Sequence, residues 1–309
     1  MSARAHALAI VNPVAGQGGG ARVLRYLAAE FERAGMPLEV AVTPGPGEAA
    51  RLAAGAVDEG YLTILAVGGD GTANEVANGI IGSRASLALY PVGVGNDLAR
   101  SLGYPRGRRL RDLARWLASE AAPRAIDVGE VNGRLFLNAA GVGIDGHVAE
   151  RVRASARIVG DRLGYFVGSL ASIATYRPQP MEVRIDGETR MGRFLAVVAS
   201  NGRHFGGGMQ PAPRALLDDG WLDVTVAGEV GRLGSIAALA RLYSGRHENG
   251  TTIVTRRARE VEIELERELP VQIDGEPSRA ERLSIGLRPR ALTVLAAPQP
   301  ETGARPGPA

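Results

Sequence analysis

The chain has 309 residues, 45% of them apolar, and a net charge of +3, so it can bury cores for two domains and is too apolar to be disordered. No apolar run approaches the roughly 20 residues of a membrane span, the N-terminus lacks a signal-peptide h-region, and the absence of cysteine excludes a disulfide frame, a thiol nucleophile and a cysteine zinc site. All 36 Lys and Arg residues are arginine, which excludes a GxxxxGK[ST] P-loop, and His6, His147, His204 and His247 show no metal-ligand spacing. A soluble or peripheral protein is expected, whose phosphate contacts must come from glycines, hydroxyls, arginine and metal.

Ala7–Val11 reads as a first strand, followed by Asn12-Pro13-Val14-Ala15-Gly16 and further glycines. An amphipathic pattern from about Ala21 to Ala34 predicts a helix that Gly35 ends. Leu38–Val42 is a second strand, closed by Thr43-Pro44-Gly45-Pro46-Gly47, and an alanine-rich helix runs to about Asp58. Thr63–Val67 is a strand apolar on both faces, and Gly68-Gly69-Asp70-Gly71-Thr72-Ala73 turns it into a helix. Thr72 is placed as an N-cap, with Glu75 at capping-box spacing. Ser86–Tyr90 is a fourth strand, leading into the loop Pro91 to Arg100. Four strand–helix alternations predict a doubly wound parallel sheet, with its glycine turns gathered at the carboxyl ends of the strands, where ligands bind.

After about Ala125 the rhythm changes. Ile126–Asn132 and Arg134–Ala140 flank a hairpin signal, Asn132-Gly133, and Val142 to Tyr176 reads as helical. Strands are expected at Met181–Ile185, Phe194–Ser200, Leu222–Val226, Thr252–Val254, Val261–Leu265, Val271–Ile273 and Arg282–Ile285, with a helix at Gly231–Tyr243. The fold class is therefore α/β: an N-terminal doubly wound nucleotide domain, residues 1–125, then a mostly antiparallel β-rich domain, residues 126–289. A last strand near Ala291–Ala296 fits either domain, and residues 298–309 form a Pro/Gly tail expected to be disordered.

The glycine turn after Val67 carries the clearest chemistry. Without Cβ atoms, backbone N–H groups can approach a phosphate, and the following helix N-terminus adds positive potential. A carboxylate beside a phosphate is unfavourable unless a cation lies between, so Asp70 argues for Mg²⁺.

Five segments together resemble the diacylglycerol kinase-like lipid kinases, a family that includes bacterial diacylglycerol kinases and sphingosine kinases. They are Asn12 to Gly16, Gly68 to Val76, Pro91 to Arg100, Asn201 to Asp223, and Asp274-Gly275-Glu276. The resemblance implies a nucleotide domain followed by a β-rich domain, an ATP-dependent transfer to a lipid hydroxyl, and ATP and Mg²⁺ as requirements. It implies that Asn12, Pro13, Val14, Ala15, Gly16, Thr43, Val67, Gly68, Gly69, Asp70, Gly71, Thr72, Ala73 and Val94 contact ATP. It further implies that Asp70 and Asp97 organise the catalytic Mg²⁺, that Glu276 is the general base, and that Leu216, Asp219 and Trp221 form a structural Mg²⁺ site. Two positions depart from the family pattern: Ala15 stands where serine is usual and Val94 where threonine is usual, each losing a hydroxyl. The lipid acceptor implies a cytoplasmic protein in peripheral contact with the inner face of the membrane, and the resemblance is compatible with a homodimer.

Other readings are weaker. A NAD kinase shares the Asp70 motif but not the Pro91–Arg100 loop joined to Asp274–Glu276. A non-catalytic dinucleotide module would use Gly16, Gly18 and Ala21, yet an acidic ribose ligand is missing near Thr43-Pro44. The run Arg100, Arg106, Arg108, Arg109, Arg111 and Arg115 reads as a solvated face and not as a nucleic-acid site, given the low net charge. Arg151, Arg153, Arg157 and Arg162 beside Leu163, Tyr165, Phe166, Val167 and Leu170 suit either an anionic membrane surface or a core helix with snorkelling arginines.

Overall fold

A computed structural model of the chain describes residues 7–105, 109–159, 172, 175–229, 231–248 and 251–298. The chain forms two compact units, one built on residues up to Ile126 and resuming at Arg290, the other running Asp127–Pro289. Most of the basic and apolar stretch noted around Arg162 and Phe166, and the tail from residue 299, lie outside the described residues.

The first unit contains β1 (Ala7–Val11), α1 (Ala15–Arg33), β2 (Leu38–Val42), α2 (Glu48–Asp58), β3 (Thr63–Gly68), α3 (Asp70–Ile80), β4 (Ser86–Pro91), α4 (Asp97–Ser101) and α5 (Leu110–Ser119). All four strands are parallel, with β1 between β2 and β3, and β3 between β1 and β4. Val11 pairs with Val42 and Val67, and Gly68 with Pro91, so the strands end level and their loops share one edge. Thr293 and Val294 pair in parallel with Ser86 and Leu87, adding the end of the last strand to this sheet beside β4. Leu27 and Phe31, one helical turn apart on α1, are buried with Ile10, Ile64, Leu65, Ile80 and Leu87. Each such side chain contributes about 1.5–3 kcal/mol by leaving water. Tyr104 donates a hydrogen bond to the Leu295 carbonyl and accepts one from the Leu89 N–H, tying the last strand to β4.

Three local features differ from the sequence reading. Helix α1 begins at Ala15, but Gly16, Gln17 and Gly18 are left-handed, so its regular part starts at Gly19. The capping box at Thr72 does not form: Gly69 is the N-cap of α3, and Thr72 is buried in its first turn. Glu75 instead accepts the N–H groups of Gly47 at 3.0 Å and Ala49 at 3.1 Å, so it caps α2. Tertiary proximity of a second helix N-terminus outweighs the local option. Finally, part of the arginine run forms α5, whose Leu113, Ala114, Trp116 and Leu117 are buried while Arg111 and Arg115 face solvent.

The second unit contains β5 (Ala122–Val131, starting in the first unit), β6 (Arg134–Phe136), β7 (Ala139–Gly143), α6 (Ile144–Val159), β8 (Gln179–Ile185), β9 (Glu188–Phe194), β10 (Ala196–Ser200), β11 (Leu222–Ala227), α7 (Arg232–Leu242), β12 (Ile253–Ala258), β13 (Val261–Ile273) and β14 (Glu276–Ala296, ending in the first unit). It is antiparallel throughout its path β12-β11-β10-β7-β13-β14, and β8, followed by β9, pairs with the Val261–Leu265 part of β13 on the side opposite β14. Asn132-Gly133, Asp186-Gly187 and Asp274-Gly275 all have positive φ at both residues and close tight hairpins. The two strands expected at Val261–Leu265 and Val271–Ile273 are one strand, interrupted by a register shift between Glu264 and Leu269. Strand β9 was not legible, because six of its seven residues are half-buried or exposed and carry no apolar alternation.

Glu75→Ala should lower the unfolding free energy by about 1–2 kcal/mol, the usual cost of losing a helix cap. Urea denaturation checks this. Unchanged stability would mean water replaces the carboxylate without cost.

Candidate functional site

The parallel edge of the first unit brings three loops into contact, and glycines make the contact geometrically available. A methyl group on Gly16 would fall 1.9 Å from the Val92 carbonyl oxygen, and one on Gly93 would fall 2.6 Å from the Gly69 Cα. Asn12 Nδ2 donates to Thr72 Oγ1 at 3.1 Å and its Oδ1 accepts the Val14 N–H, so the first loop is tied to α3. Thr43 is buried beside it, its N–H donated to the Val11 carbonyl. Val67 and Gly68 end β3, Gly69 caps α3, and Asp70, Gly71 and Thr72 form its first turn, where N–H groups lack intrahelical acceptors, while the Ala73 N–H donates to the Gly69 carbonyl. Pro13, Ala15 and Val94 are half-buried in these loops, and Val14 is exposed. The nucleotide-contact residues implied by the resemblance are therefore gathered at one edge.

Asp70 and Asp97 face each other there. Asp70 Oδ1 accepts the Asp97 N–H at 2.7 Å and the Leu98 N–H at 3.3 Å, so it holds the start of α4. A methyl on Gly95 would lie 2.8 Å from Asp70 Oδ2 and 3.3 Å from Asp97 Oδ2, which places both oxygens on one small gap. Burial pushes the Asp70 carboxyl above its usual range, against the opposing N–H groups and Arg100. A buried and a half-buried carboxylate on one gap repel unless a cation joins them, and Arg100 approaches Asp97 at Oδ1, at 3.9 Å, so the two Oδ2 atoms fit Mg²⁺. Among the described residues no group of three or more acids or histidines forms a metal cage.

In the second unit, Glu276 is the first residue of β14, exposed, and paired across the hairpin with Ile273. What fixes this turn is Asp274, a role the sequence did not reveal. Its carboxylate accepts the N–H groups of Leu137 at 2.7 Å, Asn138 at 2.8 Å and Ala139 at 3.1 Å. The fully buried Asn201 grips the same segment, donating to the Leu137 and Asp127 carbonyls. The twin turn at Asp186 grips the Arg259 and Glu260 N–H groups in the same manner, but its Glu188 is ion-paired to Arg256 at 2.6 Å.

The second unit also holds an apolar cavity of about 120 Å³, walled by Ile144, Val148, Leu195, Phe205, Met209 and Leu239 among others. The glycines at 206–208 take positive φ and fold Phe205 back on Met209, whose carbonyl accepts the Phe205 N–H, so both side chains join the wall. Two titratable groups line it. Burial pushes Asp145 up to about 6 and holds His247 below its ordinary range. Neither the Asp145 oxygens nor the His247 nitrogens have a hydrogen-bond partner among the described residues. Sequence reasoning missed this cavity, since its walls come from separate segments whose apolar residues look like ordinary core.

Leu216, Asp219 and Trp221 lie in the loop before β11. Asp219 Oδ1 accepts the Trp221 N–H at 3.2 Å, and its Oδ2 is bound by the Arg257 guanidinium. A positive charge thus already sits on this carboxylate, and the residues as folded do not fit a cation there as well.

Comparison with known proteins gives a consistent result. Residues 6–131 match the diacylglycerol kinase catalytic domain, and residues 138–296 match the YegS C-terminal NAD kinase beta sandwich-like domain. A Pseudomonas aeruginosa protein described as "Probable lipid kinase YegS-like" is 35% identical over 280 residues, 90% of each chain. The diacylglycerol kinase of Bacillus subtilis is 30% identical over 86% of this chain and 88% of its own. A crystal structure of a diacylglycerol kinase from Bacillus anthracis superposes with a TM-score of 0.74 at 26% identity, covering 94% of this chain and 97% of that one.

The Asp145 shift has a pH consequence. With its folded value raised from 3.8 to about 6, its contribution to stability is complete below about pH 4 and is lost as pH rises through 6. The loss amounts to about 3 kcal/mol. Asp145→Asn should remove this dependence, so the stability of the variant relative to wild type should rise between pH 4 and 7. Urea titrations across that range check it; a pH-independent difference would contradict it.

Proposed function

Because the chain belongs to the family of diacylglycerol kinases and YegS-like lipid kinases, we propose that it transfers the γ-phosphate of ATP to a lipid hydroxyl, with diacylglycerol as the first acceptor to test. The observation that carries the reading is the Asp70–Asp97 carboxylate pair set among glycine loops at a helix N-terminus. The N–H groups of the first turn of α3 receive phosphate oxygens, and Asn12 holds the first loop against that turn. Asp70 and Asp97 would hold Mg²⁺, which when bound neutralises the charge of the transferring phosphate. Asp70 also fixes the start of α4 and so keeps Asp97 in place.

Glu276 acts as the general base, taking the proton from the lipid hydroxyl as its oxygen attacks the γ-phosphorus of ATP and the bond to the bridging oxygen breaks, releasing ADP. Asp274 is a positioning residue: three backbone N–H groups hold its carboxylate and thereby the turn that presents Glu276. The apolar cavity of the second unit supports an acceptor with hydrocarbon to bury. Such an acceptor resides in a bilayer, and ATP is cytosolic, so the enzyme works in peripheral contact with the cytoplasmic membrane face. No described helix is long and apolar enough to cross a membrane.

Incubation with labelled ATP and, separately, diacylglycerol vesicles, sphingosine, total lipid extract and NAD tests the reading. Label should enter a lipid fraction, and label in NAD alone would overturn it. Glu276→Gln should lower kcat by about 10²–10⁴, with ATP affinity unchanged. Glu188→Gln, in the twin turn, should leave kcat as it is.

A further inference from the structure

Asp219 is where the resemblance implies a structural metal, and its surroundings supply a different cation. Arg257 stands on β12 opposite Asp223 of β11, and its guanidinium binds Asp219 Oδ2. The two side chains are only 15% and 18% exposed. The guanidinium carbon lies 5.1 Å from the centre of the Trp221 ring, and that of Arg259 lies 4.6 Å from the same ring. Arg257 is therefore held on one side by a carboxylate and on another by an aromatic face, unlike a solvated surface arginine.

The loop has need of positive charge. Asp127 is fully buried, with its Oδ2 accepting the Gly220 N–H at 2.7 Å. Burial raises the Asp219 carboxyl above its usual range, Arg257 and the Trp221 N–H oppose this, and the like charges of Asp127 and Asp218 add to the rise. Asp218 and Asp219 of the loop, with Asp127 of β5 held against it through Leu217 and Gly220, bring three carboxylates together and call for a compensating cation; a planar guanidinium serves without the dehydration that Mg²⁺ resists.

We propose that the Arg257 guanidinium takes the place of a divalent cation in the Leu216–Trp221 loop, so that the stability of this unit does not depend on Mg²⁺. The strand position of Arg257 makes the cation part of the fold, present before any ion binds. The proposal concerns stability alone and stands or falls independently of the kinase reading.

Thermal unfolding of the full chain, without nucleotide and after chelation, reads it out at zero and millimolar Mg²⁺. Asp70→Asn serves as the background, so that Mg²⁺ at the nucleotide edge does not contribute. The melting temperature should not move with Mg²⁺. Arg257→Gln in the same background should melt lower by on the order of 5–10 °C and recover part of that loss when Mg²⁺ is added. A Mg²⁺-dependent rise with Arg257 intact, or a variant whose response to Mg²⁺ matches that of its parent, would overturn the proposal. Should Arg257→Gln fail to fold, calorimetric titration of the Asp70→Asn protein with Mg²⁺ alone decides. No saturable binding is expected, and saturable binding abolished by further Asp219→Asn would overturn it.

Discussion

The close approach of backbone to backbone at the parallel edge is the constraint on which the first unit depends. Loops after β1, β3 and β4 can meet only where no Cβ intervenes, as at Gly16 against Val92 and Gly93 against Gly69. Once they meet, Asp70 reaches the N–H groups of Asp97 and Leu98, and the Oδ2 oxygens of Asp70 and Asp97 share the gap beside Gly95. The carboxylate pair is thus a consequence of glycine packing, and the helix N-terminus beside it follows from the level strand ends.

Half-buried acids in this chain are handled in contrasting ways. Asp70 and Asp274 are satisfied by backbone N–H groups, which also makes them structural fasteners for α4 and for the Glu276 turn. Asp219 is neutralised by a guanidinium held against Trp221. Asp145, at the apolar cavity, has no hydrogen-bond partner among the described residues to offset burial, and its carboxyl is raised to about 6 accordingly. The first two arrangements are geometry built into the fold, whereas the third leaves a group that changes charge near neutrality.

Much of the architecture was legible because its signals are local. The buried run Thr63–Val67 followed by glycines reads directly as strand, turn and helix, and Asn132-Gly133 and Asp186-Gly187 read directly as hairpins, although Asp70-Gly71 and Asp145-Gly146 fall inside helices. What escaped depends on contacts distant in sequence. Glu75 caps α2 across 26 to 28 residues, and Asp274 holds a segment about 135 residues away. The Arg257–Asp219 pair spans 38 residues, and spacing alone cannot rank it against a metal. Helix α5 escaped because its apolar face, Leu113, Ala114, Trp116 and Leu117, is short and interleaved with Arg111 and Arg115.

The central claim is that Asp70 and Asp97 together hold the cation of a bound nucleotide. Calorimetric titration with ATP, with and without Mg²⁺, tests it most directly in wild type, Asp70→Asn and Asp97→Asn. Asn keeps the acceptor that Asp70 offers to α4, so the fold should persist. The account predicts that Mg²⁺ tightens ATP binding about tenfold or more in wild type, at least 1.4 kcal/mol, and that either substitution removes most of this gain. ATP affinity indifferent to Mg²⁺ in wild type, or a Mg²⁺ effect that survives both substitutions, would contradict it.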